Sequence, residues 1–266
     1  MNKHLTIRSE NGSANCIVSA SNLNDHVFEV TRDYVNISGF TVENATKRAG
    51  IYFHTVEHCN ISYNNVTNND GGIRLYYSSN NTLINNIASN NYHDGIYLKS
   101  SSNNTLINNT ASNNYYDDIC SSICGIYLYD SSNNNHLYRN NFINNTNHNA
   151  YDYDTITNQW NTSTVGNYYS DYTGSDNKSD GIGDTLHQIP GGSSIDYFPL
   201  MHPWGKSPLK GDLDDDSQIT SKDAAIVLQI AVGNCPCNPQ ILAIADVSGD
   251  GRVSSLDALM ILQMAT

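Results

Sequence analysis

Two stretches near the C-terminus space hard oxygen donors in the way a calcium loop requires. "DLDDDSQITSKD" runs from Asp212 to Asp223, and "DVSGDGRVSSLD" runs from Asp246 to Asp257, 34 residues later (212 to 246). Each sets oxygen-bearing residues at loop positions 1, 3, 5 and 12 and an apolar residue, Ile219 or Val253, at position 8. Such a loop wraps Ca²⁺ with side-chain oxygens from positions 1, 3 and 5, a backbone carbonyl at 7 and a carboxylate at 12. The first donor set is therefore Asp212, Asp214, Asp216, the carbonyl of Gln218, and Asp223; the second is Asp246, Ser248, Asp250, the carbonyl of Arg252, and Asp257. Gly251 occupies position 6 of the second loop, but Ser217 holds it in the first, where a Cβ makes a positive φ costly. The duplication predicts two Ca²⁺ ions.

Other residue sets are weaker. Asp176, Asp180 and Asp184 in "DNKSDGIGD" offer a third calcium site, although Lys178 stands where a donor oxygen belongs; a tight turn is the alternative. "HTVEH" from His54 matches a zinc-peptidase spacing, but that chemistry needs both histidines on one helix face, and this segment lies between strand signals. Catalytic residues are not identified: a polysaccharide hydrolase or lyase needs clustered carboxylates or a base beside Arg and Lys, and His93 and Asp94 stand alone in the sequence. Of the six cysteines, Cys120 and Cys124 are close enough to close a small loop, whereas Cys235 and Cys237 in "CPC" are too near for an easy bridge.

The elements that carry these residues announce themselves by repetition. "GIYF" at Gly50 recurs as "GIRL" at Gly72 and "GIYL" at Gly95 and Gly125, in steps of 22, 23 and 30. A second track, Ile37, Ile61, Leu83, Leu106 and Leu137, steps by 24, 22, 23 and 31, so both lengthen at the insertion after Asn114. Within each unit the strands have period two, with turn-forming "SSNN" clusters between them. A unit of about 23 residues cannot bury its own apolar face, so units must stack as a solenoid. Asparagines three residues after the second track (Asn64, Asn86, Asn109, Asn140) and seven after it (Asn44, Asn68, Asn90, Asn113, Asn144) are predicted to form amide ladders along the stack. Ladder asparagines face inward and cannot carry glycans, which leaves Asn11, Asn161 and Asn177 as the better acceptors among the Asn-x-Ser/Thr triplets. Tyr52, Arg74, Tyr97 and Tyr127 are the outward members of the "GIYL" strands and form one surface stripe, suited to stacking on sugar rings or on one another.

The repeats "NNTL.NN..SNN..GIYL" resemble NosD-like right-handed parallel β-helix proteins. The ending "GNYYSDYTGSDNKSDGIGD…IPGGSSIDYFPLM" is similar to the closing segment of archaeal surface members of that group. This resemblance covers about residues 1–205 and implies an exported protein in which further sequence precedes the first coil; without it, an open coil edge invites end-to-end self-association. Residues 211–266 resemble a type I dockerin. That resemblance implies calcium-dependent folding and docking onto a cohesin module through loop positions 10 and 11, here Ser221, Lys222, Ser255 and Leu256. Family members often carry Ser-Thr there, so Lys222 and Leu256 leave the cohesin class open.

Composition narrows the partners. A formal net charge of −13 excludes nucleic acid and anionic membrane surfaces, which need a basic face, and no apolar run approaches the ~20 residues of a membrane span. The expected fold is mainly β: about five coils of parallel β-helix over 1–159, a capping segment over 160–203, a linker over 204–210, and a small α-helical calcium-binding domain over 211–266. The expected role is an extracellular or cell-surface binding or structural module with a polysaccharide or glycan as ligand and a cohesin as partner. A dockerin-targeted polysaccharide hydrolase or lyase, and an end-to-end filament, are the alternatives.

Overall fold

The computed structural model describes residues 4–115, 124–153, 157–178, 180–205, 209–214, 218–237 and 239–265. It divides into two compact units, Met1–Trp204 and Gly205–Thr266. The first is a parallel β solenoid with three long sheets of six, seven and six strands. That is about six turns, against the five read from the repeats. The additional turn is N-terminal, where strands Thr6–Arg8, Ile17–Ser19 and Phe28–Val30 pair in register with the first recognised coil, with Phe28 where the next coils carry Ile.

Each sheet contributes an inward column. Ile7, Ile37, Ile61, Leu83, Leu106 and Leu137 stack in the first sheet. Val18, Val42, Val66, Ala88, Ala111, Phe142 and Tyr169 stack in the second. Phe28, Ile51, Ile73, Ile96, Ile126 and Ala150 stack in the third. Nearly all of these are fully buried, in one continuous core that Trp160 and Ile189 join at the C-terminal end. Because identical positions lie above one another, branched aliphatic side chains recur at the coil period.

Corners join the sheets, and asparagine makes them. In each doublet the first residue adopts positive φ, as at Asn85 (55°), Asn90 (54°) and Asn103 (57°), and the second points inward. Asparagine tolerates that left-handed geometry better than most residues with a Cβ. The inward member accepts from the backbone N–H of the coil before it and donates to a strand carbonyl: Asn64 N–H donates to Asn86 Oδ1 (3.1 Å), and Asn86 Nδ2 donates to Ile61 O (2.8 Å). One ladder runs Asn64, Asn86, Asn109, Asn140, as expected, and continues to Asn167 in the closing segment.

The other expected ladder is displaced by one residue. Asn44, Asn68, Asn90, Asn113 and Asn144 are exposed, with positive φ, while their neighbours Asn69, Asn91, Asn114 and Asn145 form the ladder. The conclusion that Asn44 and Asn144 are sequestered from solvent is therefore reversed. A third ladder, Asn81, Asn104, Asn135, Asn158, was not anticipated. All three end on a carboxylate: the amides of Asn167, of Asn149, which accepts from Asn145 in the second ladder, and of Asn158 donate to Asp196, Asp171 and Asp152. An amide column always leaves a last donor, and an ionised carboxylate offers only acceptors. Asp152 also accepts from Trp160 Nε1 (3.0 Å) and Ser194 Oγ (2.6 Å), which ties the closing segment to the last coil.

Among its described residues the second unit holds three helices: α1 (Ser221–Ala231), α2 (Pro239–Ala245) and α3 (Ser255–Met264). Ala224, Val227, Ala245, Ala258 and Ile261 form its small core.

Candidate functional site

Each acidic loop feeds the N-terminus of a helix, and the local chemistry repeats at the 34-residue offset. Thr220 and Ser254 cap α1 and α3 in reciprocal capping boxes whose third helical residues are Asp223 and Asp257, the loops' last ligand candidates. Asp223 accepts from the N–H of Thr220 (2.8 Å), Leu213 (2.7 Å) and Asp214 (3.3 Å). Asp257 accepts from the N–H of Ser254 (2.8 Å) and Ser248 (2.9 Å), the positions equivalent to Thr220 and Asp214. Both carboxylates are thereby fixed at the loop's closing corner.

In the first loop, one oxygen each from Asp212, Asp214 and Asp223 lies within 4.8 Å of the others; this is the metal-compatible cluster found among the described residues. Lys222 places its ammonium 2.6 Å from Asp214 Oδ2, a cation on one carboxylate of this cluster. An oxygen-only donor set of this kind suits a hard divalent cation. Asp216 and Ser217 lie outside the described residues, so the fifth position and the departure from glycine at position 6 are not placed. In the second loop Asp246 accepts from the N–H groups of Gly249 (2.7 Å), Asp250 (3.1 Å) and Gly251 (2.9 Å), which curls the chain around the position-1 carboxylate. Gly251 has φ +82°, as its place in the loop requires. Burial pushes Asp223, Asp246 and Asp257 upward, but the converging N–H and hydroxyl donors outweigh it and hold all three below the ordinary carboxylate value.

Ser221, Lys222, Ser255 and Leu256 open the two helices and are exposed. Beyond them α1 presents Leu228 and α3 presents Leu259 and Leu262, all more than two-fifths exposed. Leu228 and Leu262 are equivalent across the duplication (228 to 262). Sequence reading missed these leucines because "AAIVLQIA" and "ALMILQMA" are apolar on every side, which conceals that one side faces the core and the other does not.

In the first unit, Tyr52, Arg74, Tyr97 and Tyr127 do form one column of the third sheet, flanked by Glu29 and Tyr151. A second column runs beside it, His54, Tyr76, Lys99 and Tyr129. The two interlock: ring centroids are 5.4 Å apart for Tyr52 and Tyr76, 5.5 Å for Tyr76 and Tyr97, and 5.5 Å for Tyr127 and Tyr129. Lys99 Nζ sits 5.6 Å from the Tyr129 ring centroid. The second column was missed because the strands were read as four residues, whereas Gly71–Tyr76 and Cys124–Tyr129 extend through it.

The remaining candidates separate. Asp176 accepts from the N–H of Gly181 (2.8 Å) and Asp180 (3.2 Å), and Asp184 is bound by Lys178 Nζ (2.6 Å), so these carboxylates are engaged in turn formation. His54 ends strand Ala49–His54 and His58 sits at a corner, with no helix between them. Cys16, Cys59, Cys124, Cys235 and Cys237 are free thiols, and Cys120 lies outside the described residues.

With the geometry in place, comparison with known families agrees with it. A family model described as periplasmic copper-binding protein (NosD) matches residues 5–174, and a dockerin type I domain model matches residues 210–264. No curated protein and no solved structure gave a match. No helix among the described residues is long and apolar enough to cross a membrane.

Proposed function

We propose, for a chain that belongs to the NosD family and carries a type I dockerin, an extracellular or cell-surface β-solenoid module that docks through calcium-loaded helices onto a cohesin and presents a carbohydrate-binding face. The observation that carries the docking half is the hydrogen-bond pattern repeated at the 34-residue offset, which sets Asp223 and Asp257 in the same pose at the mouths of two equivalent loops. Two Ca²⁺ ions are held, one by Asp212, Asp214, Asp216, the Gln218 carbonyl and Asp223, the other by Asp246, Ser248, Asp250, the Arg252 carbonyl and Asp257. The ion supplies the positive charge that lets clustered carboxylates close a loop. The chain supplies the orientation: Asp223 and Asp257 cap their helices and close their loops with the same side chain, so ion binding and helix entry are coupled.

Docking uses Ser221, Lys222, Ser255 and Leu256 together with the exposed faces holding Leu228, Leu259 and Leu262. The duplicated helices give this surface approximate internal symmetry. The carbohydrate half rests on the two tyrosine columns: aromatic rings packed at about 60° to one another on a rigid sheet offer apolar surface to sugar rings at little entropic cost. Calorimetric titration of the full chain with Ca²⁺ tests the docking half. Two ions per chain are expected, one after Asp212→Ala; no uptake of Ca²⁺, or stoichiometry unchanged in Asp212→Ala, would contradict it.

A further inference from the structure

The first tyrosine column of the third sheet is interrupted by a charged residue. Arg74 occupies the place in the column where neighbouring coils carry Tyr52 and Tyr97. Its guanidinium lies down across the backbone of Gly71, where a Cβ would come within 2.3 Å of Nε. The neighbouring coils have Ala49 and, in step with the Ile73–Ile96 register, Asp94 at this position, so only this coil leaves room for the side chain. Asp70 fixes one end, with Arg74 Nη1 and His93 Nδ1 each 3.0 Å from its carboxylate. All three side chains retain solvent contact, at 18%, 28% and 19% for Arg74, His93 and Asp70.

His93 and Asp94 thus do not stand alone, contrary to the sequence reading. Hydrogen bonding to Asp70 raises His93, which favours its cation. Desolvation pushes Asp70 upward, but His93 and Arg74 more than reverse this and keep it ionised. Lys99 adds a third cation in the adjoining column, over the Tyr76 and Tyr129 rings. In a chain of net charge −13 these cations share a small area with five tyrosines.

A guanidinium has five N–H donors in a planar fork, and Asp70 engages one edge of Arg74. A fork held flat beside aromatic rings matches a carboxylate that projects from a stacked ring. Tyr52 and Tyr97 are two strand spacings apart, roughly 10 Å, about the length of a disaccharide. We propose that the gap at Arg74 is a subsite for the carboxylate of a uronic-acid residue, with the tyrosines stacking on that sugar and its neighbours. The inference rests on the carbohydrate reading above and narrows it to acidic saccharides.

The test is calorimetry of the full chain, in calcium, with three-residue oligomers of galacturonate and of mannuronate, each against its own methyl ester. Esterification removes the charge and keeps the rings. At least one free acid is expected to bind ten-fold or more tighter than its ester, Arg74→Gln to abolish that preference, and Tyr97→Ala to weaken acid and ester alike. Equal affinity for acid and ester, or a preference that survives Arg74→Gln, overturns the subsite while leaving carbohydrate binding intact. Binding of neither form overturns both. Should Arg74→Gln not fold, Arg74→Lys keeps the charge but loses the planar fork and is expected to cost at least three-fold in the preference; an unchanged preference overturns the proposal.

Discussion

Replacing Asn91 by alanine separates the two members of an asparagine doublet. Asn91 Oδ1 accepts from the backbone N–H of Asn69 (3.2 Å), and its Nδ2 donates to Val66 O (3.0 Å) and Asn114 Oδ1 (3.1 Å), all within the core. Alanine leaves the Asn69 N–H buried without an acceptor, at about 1–3 kcal/mol, and removes one hydrogen bond from the Val66 carbonyl, at about 1 kcal/mol, so the total is about 2–4 kcal/mol. The neighbouring Asn90 is exposed with φ 54° and contributes only its tolerance of that angle. Asn90→Gly is therefore expected to stay within about 1 kcal/mol of the parent. Urea unfolding of the full chain, followed by the fluorescence of the buried Trp160, measures both. A cost below about 1 kcal/mol for Asn91→Ala, or equal costs for the two substitutions, would refute the assignment of ladder and corner roles.

Three further outcomes are expected. Burial holds Asp94 at about 6, above the ordinary carboxylate, so its ionisation destabilises the fold. Its contribution is most favourable below about pH 4 and falls as pH rises through about 6, by about 3 kcal/mol; Asp94→Asn, whose carbonyl can still accept from the Cys124 N–H, should flatten that part of the thermal-midpoint profile, and an unchanged slope would contradict the argument. Asp257→Ala removes the acceptor of Ser248 and Ser254 together with a proposed calcium ligand; it should cost about 1 kcal/mol of helix capping and at least ten-fold in Ca²⁺ affinity by calorimetry, and unchanged affinity would exclude Asp257 as a ligand. Leu259→Asp, on the exposed side of α3, should leave the unfolding midpoint nearly unchanged and weaken cohesin capture more than ten-fold by surface plasmon resonance, whereas full capture would remove that face from the interface.

The coil register was legible because stacking forces chemically similar residues to recur at one spacing, and two independent tracks lengthened at the same insertion. The ladder register was not, for a reason visible at Asn68-Asn69 and Asn90-Asn91. Both members of a doublet are asparagine, one chosen for its backbone and the other for its amide, and counting cannot tell them apart. The aspartates that end the ladders escaped notice because Asp171 and Asp196 lie beyond the coils and Asp152 closes the last strand of the third sheet, where nothing in the sequence links them to a column of amides. The duplicated loop-and-helix unit was legible from the donor spacing, since a bound ion would fix which positions must carry oxygen, and the dockerin type I match over residues 210–264 agrees with it at the level of the family. The Asp70–Arg74–His93 cluster was hidden differently: Asp70 sits in "NNDGG", which reads as a turn, and only the 23-residue stagger of neighbouring coils sets it against His93.

Surface plasmon resonance of the full chain over immobilised type I cohesin modules, run in Ca²⁺ and again in EDTA, tests the proposed role most directly. The account predicts one-to-one binding to at least one cohesin in Ca²⁺ and its disappearance in EDTA, as the loops that orient α1 and α3 lose their ions. Binding that persists unchanged in EDTA, or no binding to any cohesin while Ca²⁺ is bound, would contradict it.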